Sequence, residues 1–133
     1  MSKLILSLFL YNFLVFEEGK GQFWWTVGSN AGDKYVGEFR ADERNGAGSY
    51  HFKNGDVFSG GWKDGKQDGA GSVLYTNGNL LTGTWSNGKR SGTFLFTFPN
   101  GQRYTATFVD GVRDGDWTET DPAPPNLALL NHN

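Results

Sequence analysis

The chain has no cysteine and only two histidines in 133 residues, and its charges nearly cancel at 12 basic against 14 acidic. Without thiols, disulfide frameworks and thiolate metal sites are excluded, although no compartment is fixed. A net charge of −2 leaves no electrostatic footprint for nucleic acid. No Asn-x-Ser/Thr sequon occurs, which weighs against a secreted glycoprotein. There is no Gly-Lys-Ser/Thr phosphate loop, and neither Gly46-x-Gly48 nor Gly69-x-Gly71 continues as a dinucleotide fingerprint.

What is abundant is glycine, 20 residues, together with 16% aromatics, five of them Trp. Glycine alone would suggest a flexible linker, but glycine in phase with rings suggests a sheet with many tight turns. The phase is 23 residues. Gly32, Gly55, Gly78 and Gly101 fall at that interval, three of them in Asn-Gly pairs at Asn54, Asn77 and Asn100. Asn-Gly between alternating segments predicts a hairpin with a type I′ turn, in which both central residues take positive φ.

The rest of the pattern keeps the same register. Tyr35, Phe58, Leu81 and Tyr104 follow the anchor glycines; then come Gly37, Gly60, Gly83 and Ala106, then Phe39, Trp62, Trp85 and Phe108. A second glycine turn is expected at Gly65, Gly88 and Gly111, with Glu43 in that place in the first copy. Gly46, Gly69, Gly92 and Gly115 then open a second extended run, closed by Tyr50 and Phe52, Val73 and Tyr75, or Phe96 and Phe98. Each copy is thus two short strands with rings on one face and Ser, Thr and charged residues on the other, the alternation of a sheet wetted on one side. A ring of one strand is placed to cover a bare glycine of the next.

This pattern resembles the MORN (membrane occupation and recognition nexus) repeat: Tyr35-x-Gly37-x-Phe39, Gly46-x-Gly48-x-Tyr50-x-Phe52 and Asn54-Gly55 carry it, and Phe58-x-Gly60-x-Trp62-x-x-Gly65-x-x-x-Gly69-x-Gly71 is the closest match. The resemblance covers residues 32 to about 118. Glu18 to Trp24 matches half a repeat, followed by a turn four residues longer than the others. The resemblance implies an all-β fold, an elongated, single-layer, twisted antiparallel sheet of tandem 23-residue β-hairpins with an aromatic groove. It implies no catalytic residues and no cofactor. Family members serve as scaffolds in ciliary, flagellar, cell-division and membrane-junction assemblies, so a cytoplasmic, cytoskeletal or ciliary setting is expected.

The expected organisation is an apolar N-terminal segment (1–18), an array (19–120) and a Pro-rich tail (121–133). The array divides into a partial repeat (19–31) and copies at 32–54, 55–77, 78–100 and 101–120. Leu4 to Phe16 is nearly all apolar but short for a membrane span of about 20 residues. It lacks a small-residue cleavage site and is expected to supply an edge strand and hydrophobic cap, or a docking element. The tail, Asp121-Pro122-Ala123-Pro124-Pro125 followed by Asn126 to Leu130, is disordered, packed on the groove, or docked on a partner.

Catalytic chemistry finds little to stand on. His51 falls on the polar face and His132 in the tail. Asp64 with Asp68, and Asp110 with Asp114, recur at matched positions, which favours turn chemistry over an acid–base pair. The sharper candidates are the rings Tyr35, Phe39, Phe58, Trp62, Trp85, Tyr104 and Phe108, which a single layer is expected not to bury fully. They point to a protein partner, plausibly a helix laid in the groove. Two other readings stay open. One is a phospholipid-associated adaptor held by the apolar N-terminus, although no cluster of Lys and Arg is visible for anionic lipid. The other is a secreted carbohydrate-binding module.

Overall fold

The structure, a computed structural model, describes residues 19–120 in full and the backbone of residues 2–7 and 12–17. The tail expectations, and those about side chains of the N-terminal segment, lie outside the described residues. The described chain forms eleven strands and no helix. An apolar N-terminal hairpin, β1 (Ser2–Ser7) and β2 (Asn12–Glu17), leads into β3 (Lys20–Trp24). The four copies then supply β4 (Lys34–Arg40) with β5 (Glu43–His51), and β6 (Val57–Lys63) with β7 (Lys66–Leu74). They end with β8 (Leu80–Ser86), β9 (Lys89–Thr97), β10 (Arg103–Val109) and β11 (Val112–Glu119).

Each strand pairs antiparallel with its neighbours in the chain, so the sheet order is the sequence order from β1 to β11. At about 4.8 Å per strand the sheet extends about 50 Å across its strands. The expected all-β single layer of tandem hairpins is what forms.

Two kinds of turn alternate, and their assignment corrects the sequence reading. At the Asn-Gly pairs only the glycine has positive φ: Gly55 at 100°, Gly78 at 89° and Gly101 at 92°. These are five-residue loops in which Phe52 N–H donates to Asp56 O and Gly55 N–H donates to Phe52 O, both at 2.9 Å. The Asn side chain acts as an acceptor instead, with Asn54 Oδ1 taking the Asp56 N–H at 2.9 Å and Asn77 Oδ1 the Asn79 N–H at 3.0 Å. The true two-residue type I′ turns are the others: Asp64-Gly65, Asn87-Gly88 and Asp110-Gly111, each with both φ values positive. In the first copy this turn is Ala41-Asp42, at φ 50° and 64°, and Glu43 is already the first residue of β5.

Gly46, Gly69, Gly92 and Gly115 do not open their strands either. Each sits inside one at positive φ, between 83° and 98°. Pairing passes from Gly60↔Gly71 to Trp62↔Gln67, so β7 spends more residues than β6 over the same stretch. A β-bulge of this kind needs a left-handed residue, and glycine supplies it without strain. The bulge glycine persists at Gly92 and Gly115, where the next glycine of the pattern has become Phe94 and Trp117.

The core is built entirely on the ring face. Tyr35, Phe58 and Phe94 are completely buried, and Trp62, Trp85 and Phe108 nearly so. The expectation that one layer leaves these rings incompletely covered is therefore corrected for Tyr35, Phe58, Trp62, Trp85 and Phe108; only Phe39 and Tyr104 are half-buried. The reason is the missing Cβ. A Cβ on Gly48 would overlap the Tyr35 ring, one on Gly71 would lie 2.8 Å from the Phe58 ring, and one on Gly83 would lie 2.6 Å from the Phe94 ring. The rings lie flat on bare backbone, and the sheet thereby supplies its own second layer.

Those rings also meet each other edge to face, in a continuous line Phe39–Tyr35–Trp62–Phe58–Trp85–Phe94–Phe108–Trp117 with centroids 4.8–6.0 Å apart. Edge-to-face pairs add about 1 kcal/mol each beyond area burial. The opposite face keeps its hydroxyls, as at Ser49 and Ser59, whose Oγ atoms are 3.2 Å apart.

The third copy shows how tightly ring and glycine are coupled. Where the second copy has Phe58 covering Gly71, the third has Leu81 and Phe94, so the ring has moved to the partner strand and turned onto Gly83. Phe94→Gly should cost about 4 kcal/mol, because a ring leaves the core, and Leu81→Phe about 2 kcal/mol through overpacking. Combined, they recreate the second-copy arrangement, and the double variant should be at least about 1 kcal/mol more stable than the sum of the two losses. Urea denaturation of the four-member cycle checks this; additive losses would sink the ring-for-glycine account.

Candidate functional site

Beyond the core line, a second set of rings is only partly covered. Trp25, Phe52, Tyr75 and Phe98 each open a long loop at matched positions, and Phe52 is 39% exposed. At the C-terminal side Phe96, Phe98, Tyr104 and Trp117 line an open pocket of about 330 Å³. Phe96 lies 5.1 Å from Phe98 and 5.8 Å from Trp117, and Phe98 lies 5.8 Å from Tyr104. Tyr104 occupies the same repeat position as Tyr35 and Phe58 but turns outward. Trp117 stands where those two find a bare glycine to lie on, so Tyr104 packs on Phe98 instead.

Of the seven rings expected to make contact, Phe39 and Tyr104 are thus reachable, while Tyr35, Phe58, Trp62, Trp85 and Phe108 form the support beneath the surface. Phe52, Tyr75, Phe96, Phe98 and Trp117 were not assigned to the site from sequence. Their signal was present, since residues 52, 75 and 98 repeat at 23-residue spacing immediately before the Asn-Gly loops.

A row of polar residues missed from sequence crosses the same face: Arg44, Gln67, Arg90 and Arg113, again 23 apart. The Arg44 guanidinium is caged by rings, 4.6 Å from the Trp62 centroid, 5.6 Å from Trp25, 5.7 Å from Tyr50 and 5.9 Å from Tyr35. Its Nη2 donates to Gly65 O at 2.6 Å, while Gly65 N–H donates back to Arg44 O at 2.9 Å, so Arg44 pins the turn of the following copy. Burial lowers its pKa below the usual guanidinium value, opposed by the neighbouring Tyr50, Tyr35 and Glu43. Arg90 sits over Phe108 at 5.3 Å and Phe94 at 5.9 Å.

The phenols nearby are structural. Tyr50 O–H donates to the buried Asp33 Oδ2 at 2.6 Å, and Asp33 Oδ1 accepts the Lys53 N–H at 2.8 Å, tying the first long loop to the second. Asp56 repeats the link by accepting the Thr76 N–H at 3.0 Å. Tyr35 O–H donates to Glu38 O at 2.8 Å. The suspected acidic pairs serve turns: Asp64 and Asp110 hold left-handed turn positions, and Asp68 Oδ2 accepts the Asn87 N–H at 3.2 Å. Among the described residues no group of three His, Cys, Asp or Glu side chains is placed to hold a metal.

Burial pushes the Tyr35 hydroxyl up to about 12, against a lowering by Arg44. It raises Tyr50 as well, reinforced by the hydrogen bond to Asp33. In the unfolded chain both ionise near 10. The stability these buried phenols carry is therefore complete below pH 10 and lost as pH climbs toward about 12. The urea midpoint of the wild type should fall over that window, and a Tyr35→Phe/Tyr50→Phe variant should show a shallower decline between the same pH values. Equal slopes would mean that the two hydroxyls ionise freely in the fold.

The model of the MORN repeat family matches residues 35–57, 58–80 and 82–103, just over half of the chain. Each matched unit holds one hairpin of the sheet, from the first strand through the second to the long loop. The strands β10 and β11 continue the same pairing beyond the match. A comparison with the curated proteins yields no match. With glycine-backed rings, alternating turns and three consecutive matched units, the chain belongs to the MORN repeat family.

Proposed function

We propose that the array is a non-catalytic docking module that holds a protein partner against its ring face within a larger assembly. Repeats of this family are binding or adaptor elements and are generally non-enzymatic. The observation that carries the finer reading is the outer tier, with Phe52, Phe98 and Tyr104 partly exposed above the buried core and Tyr75, Phe96 and Trp117 packed against its edge. Rings left open above a rigid support are the arrangement in which a few aromatic residues dominate binding. Phe39 and Tyr104 remain contact residues in this reading, and a helix lying across the strands is the occupant that suits the face. The proposed setting, a cytoplasmic assembly of cytoskeletal or ciliary kind, rests on the family alone.

Capture of partners from native extract should separate this from a membrane role. A Phe52→Ser/Phe98→Ser variant should lose a defined protein partner by about tenfold or more while its thermal midpoint shifts only a few degrees, because both rings lie outside the core. Capture unchanged by those substitutions would overturn the assignment of the face. If no protein is captured and the chain pellets with vesicles only when residues 1–16 are present, the array is instead a spacer on a membrane-attached protein.

A further inference from the structure

The polar row across the ring face has a chemistry that the apolar tier does not explain. Arg44 lines a cavity of about 260 Å³ and Arg90 one of about 520 Å³, and the two cavities share Phe52, Gln67 and Gly88 as walls. They form one groove with a guanidinium toward each end and the neutral Gln67 between. Lys66 and Lys89 stand at its rim. Arg44 uses one of its five N–H donors on Gly65 O, and the Arg90 guanidinium meets only the faces of Phe94 and Phe108 among the described residues. Among the described residues neither guanidinium has an ion-pair partner.

The carboxylates nearby are otherwise placed or engaged. Asp56 is the acid lining the larger cavity, and its oxygens accept from Thr76 N–H and Asn54 Nδ2, each at 3.0 Å. Asp42 and Glu43 line a neighbouring cavity with Phe23 and Trp25, which Arg44 also borders, but neither forms an ion pair with its guanidinium. A partly buried cation without a carboxylate is an expensive arrangement to keep unless something completes it. Guanidinium groups favour carboxylates, which they can bind through two parallel N–H donors.

On this basis, and resting on the docking role proposed above, we infer that the groove takes an acidic amphipathic helix, with one carboxylate on Arg44 and another on Arg90. Arg44 is on β5 and Arg90 on β9, four strand spacings or about 19 Å apart. Along a helix that distance is about 13 residues. The partner therefore presents two acidic residues about 11 or about 14 apart, the separations near that distance that return to one face of a helix, with apolar residues between them against Phe52 and Tyr75 and a polar residue facing Gln67.

Selection of random 20-residue peptides on the immobilised full chain tests this directly. The expected result is enrichment of peptides with Asp or Glu at either separation flanking apolar residues. Their affinity should fall about tenfold or more when the acids become Asn or Gln, and by a similar factor against Arg90→Gln. Arg90 is the informative variant because Arg44→Gln also releases the Gly65 turn. Enrichment of apolar peptides with no acidic preference would overturn this inference and leave the docking role standing. No enrichment at all, alongside no captured protein, would remove both. Failure to select acidic peptides, with binding to phosphatidylserine vesicles that Arg90→Gln abolishes, would assign the groove to a lipid surface and overturn it as well.

Discussion

A ring lying on a strand that has no Cβ is the contact from which the rest of this molecule follows. A single sheet ordinarily needs another layer to bury its apolar face. Here Tyr35, Phe58 and Phe94 fold down onto Gly48, Gly71 and Gly83, and the space normally taken by a Cβ is filled by ring. Glycine in a strand weakens it by itself. The same glycine under a ring stabilises, because it permits complete burial of an aromatic side chain with no partner domain. That contact explains why glycine and aromatic residues are enriched together, why Leu81 and Phe94 change in concert, and why Tyr104, whose glycine has become Trp117, leaves the core.

The cover and the coupling between copies are carried by different residues. Each ring-on-glycine contact is closed within one hairpin. Trp62 and Trp85 act across hairpins: Trp62 meets Tyr35 of the copy before and Phe58 of its own, and Trp85 meets Phe58 and Phe94. The turn glycines add a second coupling, since Gly65, Gly88 and Gly111 N–H groups donate to the carbonyls of Arg44, Gln67 and Arg90 in the preceding copy. The residues that present the candidate binding row are thus the same ones that hold successive hairpins in register.

Much of the fold was legible in the sequence because a 23-residue period repeats every constraint. The strand faces followed from alternation, and the hairpins from paired glycines. What misled was chemistry that looks alike at two sites. Asn54-Gly55 carries the dipeptide of a type I′ turn, but its five-residue loop lets Asn54 accept a hydrogen bond from Asp56 and leaves only Gly55 left-handed. Gly69 looks like the start of a strand because no alternation pattern distinguishes a bulge from an end. The burial of Trp62 and Trp85 was underestimated because counting layers ignores volume freed by missing side chains. Arg44 and Arg90 stand next to turn residues and pass for solvated charge; only their position on the ring face, which depends on the bulge, shows otherwise.

The strictly sequential strand order has a mechanical meaning. Every described strand hydrogen-bonds only to its neighbours in the chain, and the first and last of them lie at opposite ends of the sheet. A pull between those ends runs along the hydrogen bonds and loads the ladders one after another, as in opening a zipper, instead of shearing them all together. Hairpins then peel away singly, each lengthening the chain by a similar step while the remaining copies keep their cover. An array built this way yields gradually under tension, and a partner seated across several hairpins would stiffen it.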